Sequence, residues 1–182
     1  MKKVLLILAL MITSLYADTH KLYDKSMVKS NIIWLNKNMD RGKLETLKKL
    51  YNACLDIDMS YTCMAIAWQE SWVGDVKINE RSGDYGLTGI NLKYYIKDNN
   101  LKLSYWDKER LKTKLVVNDD FAIGVMIDRL KYWYKIRKGD WYRIWESYNA
   151  GFRRNPIYPK SIYNKIIALR TWLRDNNINL AY

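Results

Sequence analysis

The chain has 182 residues, a formal net charge of +12 at pH 7, two cysteines and a single histidine, His20. Two cysteines and one histidine cannot form an ordinary zinc site, and a lone histidine near the N-terminus gives little support to a Ser-His-Asp triad. The positive charge attracts any polyanion, but the chain has no recognition helix, zinc module or basic segment with interleaved aromatics. We therefore expect no nucleic-acid partner.

The first 17 residues have the pattern of a signal peptide: Lys2 and Lys3, an apolar run over 4–15, and the small residue Ala17 before the expected cleavage point. A membrane span needs roughly 20 apolar residues, more than this run contains, so we expect cleavage and no stable membrane span afterwards. An uncleaved N-terminal anchor is the alternative. In both cases the rest of the chain is exported, and we expect a periplasmic or secreted protein.

Residues 18–182 have the size of one ordinary domain and contain no internal repeat, low-complexity stretch or Gly/Ser linker. We expect a helical N-terminal extension over residues 18–40 and a single compact domain over residues 41–182. We expect the protein to be a monomer.

Four long segments have apolar residues at helical spacing. They are Leu44, Leu47, Tyr51 and Cys54; Cys63, Ile66 and Ala67; Ala122, Met126, Leu130 and Trp133; and Ile162, Ile166, Leu169 and Leu173. Asp40 and Ser60 are the predicted caps of the first two helices, and Asn118 or Asp119 opens the third. Pro159 suits the first turn of the last helix.

Shorter elements complete the predicted fold. A short aromatic helix from Asp140 to Tyr148 is expected to end before Gly151. The segment from Asp75 to Ile90 is the one place where a small sheet fits, because Val76 and Ile78 alternate with polar residues. The predicted class is therefore mainly α, with at most a small β-hairpin.

Cys54 and Cys63 lie at the end of the first predicted helix and the start of the second. Exported proteins meet oxidising conditions, in which such a pair is often bridged. We predict a disulfide between them. The alternative is a pair of small buried hydrophobic side chains.

Glu70 interrupts the apolar pattern of its own helix. It follows Ile66 by four positions and Cys63 by seven, so it shares their buried face. Burial disfavours the charged carboxylate and raises its pKa, which suits a general acid that protonates a glycosidic oxygen. The alternative is a salt-bridged or snorkelling glutamate at a helix end.

Three segments resemble a known family. They read AIAWQES over residues 65–71, DYGLTGIN over residues 84–91 and SYNAG over residues 147–151. They are similar, in the same order, to the Glu-Ser helix end, the Gly-Leu-Met-Gln-Ile-Asn loop and the Ala-Tyr-Asn-Ala-Gly motif of the soluble-type lytic transglycosylases (SLT domain) of the lysozyme-like superfamily. The resemblance covers about residues 45–175. It implies an α+β lysozyme-like fold with a catalytic cleft, in which Glu70 is the only essential acid and no metal or cofactor takes part.

The resemblance also implies a set of substrate-binding residues: Ser71, Tyr85, Gly86, Leu87, Gly89, Ile90, Asn91, Tyr148 and Asn149. Gly86 would let the backbone approach a sugar, Leu87 and Ile90 would anchor the loop to the core, and Ser71 would fix the hydrogen bonding around Glu70. Tyr148 would lie near Glu70 and orient its carboxyl or the substrate, and the tyrosine that follows downstream in the family would correspond to Tyr163. The family usually has Met-Gln where this chain has Thr88-Gly89, so we expect the N-acetyl groups to be bound differently here.

The aromatic residues divide into two groups. Trp133, Trp145 and Trp172 are predicted to lie in the core, because they sit at helical spacing. The better candidates for stacking on sugars in a cleft are Trp72, Tyr85, Tyr94, Tyr95 and Tyr158.

The leading functional prediction is lytic transglycosylation of peptidoglycan glycan strands, with Glu70 acting as acid and then as base. The second is a hydrolysing muramidase, such as a secreted lysozyme or phage endolysin, that pairs Glu70 with Asp84 as the second carboxylate. The third is a non-catalytic wall-binding protein of a secretion or pilus assembly.

Overall fold

The structure is a computed structural model that describes residues 22–181, so the predicted signal peptide and His20 lie outside the described residues. The described part forms a mainly α fold, as predicted, with a small antiparallel sheet. No helix in it is long and apolar enough to cross a membrane. The helices are α1 (Lys25–Asn38), α2 (Arg41–Ala53), α3 (Ser60–Ser71), α4 (Leu92–Asp98), α5 (Tyr105–Val117), α6 (Asp119–Ile136), α7 (Trp141–Ala150) and α8 (Ile157–Asp175).

Helix α3 lies at the centre of the molecule, packed against α2 and α8. Every residue from Thr62 to Trp68 is buried, so this helix is covered on all its faces rather than along one stripe. Solvent reaches it again only near its C-terminal end, where Gln69 and Glu70 are half-buried. Glu70 therefore lies where the core helix meets the surface.

The described part of the N-terminal extension is integrated into this core. Helix α1 packs along α8, and its Leu35 is fully buried. The buried side chain of Asn164 in α8 accepts a hydrogen bond from the backbone N–H of Asp24 at 2.8 Å and donates to the carbonyl of Leu22 at 2.7 Å. These contacts attach the start of α1 to the middle of α8.

Most of the predicted helix starts agree with the structure. Asp40 and Asn118 are N-caps, and each side chain accepts a hydrogen bond from the backbone N–H three residues ahead. Ser60 was wrongly predicted to be a cap. It is the first helical residue of α3, and its hydroxyl donates to the carbonyl of Tyr51 at 2.8 Å.

A disulfide joins Cys54 and Cys63, the predicted pair. Cys54 directly follows α2, Cys63 lies in the first turn of α3, and both side chains are fully buried. The bond links α2 to the central helix across the short 3₁₀ turn Leu55–Ile57.

The sheet lies in the predicted segment but has three strands rather than the two of a hairpin. These are β1 (Ile78–Asn79), β2 (Asp84–Tyr85) and β3 (Ile90–Asn91), paired antiparallel in the order β1-β2-β3. Val76, predicted to alternate in the sheet, lies outside it and is exposed. Strand β2 packs on α5 and strand β3 packs on α6. The loop that joins β2 to β3 therefore lies against the C-terminal end of α3.

Candidate active site

The carboxyl of Glu70 is held by a tyrosine of a distant helix. Glu70 is the last residue but one of α3, and its Oε1 accepts a hydrogen bond from the hydroxyl of Tyr158 at 2.5 Å. Tyr158 lies in the first turn of α8 and is buried. Burial raises the pKa of Tyr158 well above its usual value, so its hydroxyl keeps the proton that it donates.

The environment of Glu70 favours the protonated carboxyl. Burial raises the pKa of Glu70 from its ordinary 4.5 to about 7. The hydrogen bond from Tyr158 and the positive charge of Arg129 lower this pKa, whereas the negative charge of Asp84 raises it. The C-terminal end of a helix also disfavours negative charge. The carboxyl therefore holds a proton for much of the time at neutral pH, as the sequence pattern predicted.

The loop backbone at Gly89 lies directly against Glu70. Gly89 has φ +61°, and a Cβ at this position would lie 2.7 Å from Oε2 of Glu70 and 2.8 Å from its Cβ. Carbon atoms in contact are normally separated by about 3.5–4.0 Å, so no side chain fits here without displacing the glutamate. The backbone of this chain therefore requires glycine at position 89.

Three helices hold that loop in place. The buried hydroxyl of Ser71 lies 2.7 Å from the carbonyl oxygen of Leu87, and the hydroxyl of Tyr148 donates to the carbonyl of Thr88 at 2.9 Å. The Thr88 hydroxyl in turn donates to the carbonyl of Ala122 in α6 at 3.0 Å. Ser71 and Tyr148 thus position the loop, and each is almost completely buried.

Two residues predicted to bind substrate serve the packing of the sheet instead. Tyr85 is buried in a small cluster with Ile90 and Leu115, and its hydroxyl donates to Glu80 at 2.7 Å. Gly86 is also buried, and a Cβ there would lie 2.3 Å from the carbonyl oxygen of Leu115. The prediction that Gly86 admits a sugar is therefore wrong, because its missing side chain admits helix α5. The predicted anchoring of the loop by Leu87 and Ile90 is confirmed, since both are buried.

Asn91 and Asp84 are joined across strands β2 and β3. The side-chain amide of Asn91 donates to Asp84 Oδ1 at 2.9 Å and to the carbonyl of Ser82 at 2.8 Å. Its oxygen caps α4 by accepting from the backbone N–H of Tyr94. Asn91 is thus occupied by structural hydrogen bonds. Asp84 is half-buried and close enough to Glu70 for its charge to raise the pKa of that carboxyl.

The tyrosine that bonds to Glu70 is Tyr158, whereas the resemblance implied Tyr148, whose hydroxyl donates to the carbonyl of Thr88 instead. Tyr163 packs its ring against Trp145, with centroids 6.4 Å apart, whereas Tyr158 bonds to the acid. Asn149 is exposed, and its side-chain oxygen accepts from Asn155 at 2.7 Å. Of the other cleft candidates, Trp72 and Tyr94 are exposed, and Tyr95 packs on Phe121.

Glu146 is a buried acid that no sequence motif predicted. Its carboxylate pairs with Arg143 at 2.9 Å and with Arg154 at 3.0 Å, and it accepts from the backbone N–H of Asn155 at 3.1 Å. These contacts clasp the connection between α7 and α8, which leads directly to Tyr158. The i,i+3 spacing of Arg143 and Glu146 was the only local signal.

Arg129 was also missed. It is half-buried in α6, and its guanidinium lies 5.1 Å from the centroid of the Tyr148 ring. Its charge lowers the pKa of Glu70, of Tyr148 and of Tyr158, so it stands close to all three side chains. A single arginine among many basic residues carried no distinguishing sequence pattern.

Two surface cavities of the described part lie away from Glu70. One of about 300 Å³ is bordered by Lys43, Gly74 and Asp75, and one of about 590 Å³ follows an exposed side of α5 from Trp106 to Val117. The charged rim of the first is already paired, because Lys43 contacts Asp75 at 2.9 Å. Residues 22–181 contain no cluster of three or more His, Cys, Asp or Glu side chains that could hold a metal ion.

Comparison of the chain with models of protein families, with curated proteins and with solved structures finds no match. Any assignment of function therefore depends on the residues of the site and on the three motifs that carry the resemblance.

Proposed function

We propose that this protein is an exported enzyme that cleaves the glycan strands of peptidoglycan by lytic transglycosylation, with Glu70 as its acid and then its base. The observation that carries the proposal is the state of Glu70. Its carboxyl has a pKa of about 7, is oriented by Tyr158 and lies under the loop at Gly89. The motifs that resemble the lytic transglycosylases surround this one group.

The hydrogen bonds assign different tasks to the two carboxyl oxygens. Oε1 accepts the hydrogen bond of Tyr158, so the transferable proton belongs on Oε2. Oε2 lies on the Gly89 side of the carboxyl, accepts no hydrogen bond from a described residue and is not among the buried atoms without a partner, so it keeps contact with solvent. A glycosidic oxygen placed there would be protonated as its bond to the MurNAc anomeric carbon breaks.

The remaining steps need no second protein carboxylate. The sugar gains oxocarbenium character, which the substrate's own N-acetyl group stabilises in the family that the motifs resemble. Glu70, now ionised, removes the proton of the MurNAc 6-hydroxyl, and that oxygen attacks its own anomeric carbon. A 1,6-anhydro ring closes, the MurNAc–GlcNAc β-1,4 bond is broken, and Glu70 regains its proton.

A hydrolysing muramidase is the second candidate, and Asp84 is the observation that favours it. Its charge raises the pKa of Glu70, so the two carboxyl groups share one electrostatic environment. In hydrolysis Asp84 would act as nucleophile or as the base that activates water. Asp84→Asn would then abolish cleavage, whereas a transglycosylase would retain it.

The test is digestion of purified sacculi with the exported protein and with Glu70→Gln, followed by mass spectrometry of the soluble products. Anhydro-ended fragments that are absent with the variant support transglycosylation by Glu70. Reducing-end fragments would establish the muramidase instead. Sacculi that bind both proteins without releasing fragments would refute the enzyme and leave a wall-binding protein.

A further inference from the structure

Arg129 has no anionic partner among the described residues. It forms no ion pair or hydrogen bond with any of them, whereas the nearby buried acid Glu146 is paired with two arginines. Its guanidinium covers the ring of Tyr148 at 5.1 Å, and none of its nitrogen atoms is among the buried donors without a partner. The guanidinium therefore keeps contact with solvent at the side of the site where Glu70 lies.

The unpaired positive charge of Arg129 opposes the chemistry proposed at Glu70. Arg129 lowers the pKa of Glu70, which opposes its role as an acid at neutral pH. A positive charge close to the anomeric carbon also opposes the oxocarbenium character that develops there. Both effects disappear when an anion from the substrate neutralises the guanidinium.

We propose that Arg129 binds a carboxylate carried by the MurNAc residue of the substrate. This inference rests on the proposed function. The planar guanidinium offers five N–H donors in a fork that matches a carboxylate, and GlcNAc carries no acidic group. Two sources share this chemistry: the lactyl carboxylate of a MurNAc without its peptide, and the carboxylates of an attached stem peptide.

Binding of such an anion also controls the acid. The groups that act on Glu70 are Tyr158 from α8, Asp84 from β2 and Arg129 from α6. When the substrate neutralises Arg129, the smaller of the two influences that lower the pKa of Glu70 is removed, and the hydrogen bond from Tyr158 remains. The basic limb of kcat should then lie at higher pH than that of kcat/KM. In Arg129→Gln the basic limbs of kcat and of kcat/KM should lie at the same pH, because the positive charge is absent from both the free enzyme and the complex.

The experiment measures binding in a Glu70→Gln background by tryptophan fluorescence, so that no ligand is consumed. Three soluble ligands are compared: glycan fragments with stem peptides, the same fragments after amidase treatment, and a neutral chitin tetrasaccharide. Arg129→Gln should weaken binding of one of the two acidic ligands about tenfold, the loss expected for a charged hydrogen bond, and leave the chitin tetrasaccharide unchanged. The affinity of Arg129→Lys for that acidic ligand should lie between the affinity of Arg129→Gln and that of the Glu70→Gln parent.

The control is Lys131→Gln, which removes the same charge from an exposed position of the same helix. Loss limited to the peptide-bearing ligand assigns the stem carboxylate, and loss limited to the amidase-treated ligand assigns the lactyl carboxylate. Equal binding by Arg129→Gln and its parent, or an equal loss for all three ligands, would overturn this inference alone. A parent that binds none of the three ligands would overturn the proposed function together with it.

Discussion

Replacing Gly89 with alanine tests the contact between the loop and the acid with a single methyl group. The new Cβ would lie 2.7, 2.8 and 2.9 Å from Oε2, Cβ and Cγ of Glu70. One side has to move by about 1 Å to reach ordinary contact distances. The loop is held through Leu87 and Thr88, so we expect the Glu70 carboxyl to move and to lose its 2.5 Å hydrogen bond from Tyr158.

The expected magnitude has two parts. Alanine in left-handed backbone costs about 1–2 kcal/mol, and overpacking a filled site costs about 1–3 kcal/mol. We therefore expect Gly89→Ala to lower the free energy of unfolding by about 2–5 kcal/mol. A displacement of about 1 Å at a reacting group lowers a rate roughly 100-fold, so release of soluble muropeptides from sacculi should fall by at least that factor.

Two glycines provide matched controls. Gly139 has φ +78°, but its nearest neighbour would lie 3.5 Å from a Cβ, so Gly139→Ala introduces the backbone strain without the clash. Gly124 lies in α6 with no atom within 4 Å of a Cβ, so Gly124→Ala should slightly stabilise the helix. Both controls should keep full activity. Wild-type activity in Gly89→Ala, or in Gly89→Gln, would refute the reasoning.

Three other substitutions have distinct expected outcomes. Tyr158→Phe removes a hydrogen bond that lowers the pKa of Glu70, so the basic limb of the pH–rate profile should move to higher pH while kcat falls about tenfold. Glu146→Ala removes the clasp on the connection to α8 and should lower the free energy of unfolding by about 2 kcal/mol in urea titrations, because it leaves two arginines unpaired. Lys165 is buried against the rings of Trp68 and Trp72, and burial lowers its pKa from 10.5 to about 8. Lys165→Met should raise the melting temperature at pH 7, and this gain should shrink between pH 8 and pH 10.5, where the folded lysine is already neutral. An unchanged melting temperature at pH 7 would mean that the rings offset the cost of burial.

The elements that the sequence predicted well have strong local signals. Asn118 and Asp140 are the N-caps of helices α6 and α7, and their side chains accept hydrogen bonds from the first turn; Gly151 is the C-cap of α7. Helix α5 was not predicted, because it is rich in charged residues and buries only Leu115. Helix α3 was predicted to bury one apolar stripe, but it is buried on all its faces. Such a helix has no polar face, so the spacing of its apolar residues does not show the helical period.

In the site, too, the residues with a local sequence signal were predicted, and those that act through contacts distant in the sequence were not. Glu70 could be found because the acid interrupts an apolar helix and is followed by serine. Its partner Tyr158 lies 88 positions away, and only the packing of α8 against α3 distinguishes it from Tyr163. At Gly86 the sequence indicated a close approach to the backbone, but it could not show that the approaching group is the carbonyl of Leu115 in α5 and not a sugar. Arg129 and Glu146 act through contacts made by the fold and had no motif of their own.

The burial that makes Glu70 an acid also has a measurable effect on stability. The folded carboxyl has a pKa of about 7, above its ordinary 4.5, so between these values the folded state binds more protons than the unfolded state. Stability must then fall as pH rises from 4.5 to 7, by up to about 3 kcal/mol, and it stays reduced above pH 7. Glutamine at position 70 does not titrate. Glu70→Gln should therefore match the wild type at pH 4 and exceed its free energy of unfolding at pH 8, in urea titrations of the two proteins at both values. If the difference in the free energy of unfolding between Glu70→Gln and the wild type is the same at pH 8 as at pH 4, the ionisation of Glu70 does not destabilise the folded state. The pKa of Glu70 would then be ordinary, and its carboxyl could not hold a proton at neutral pH.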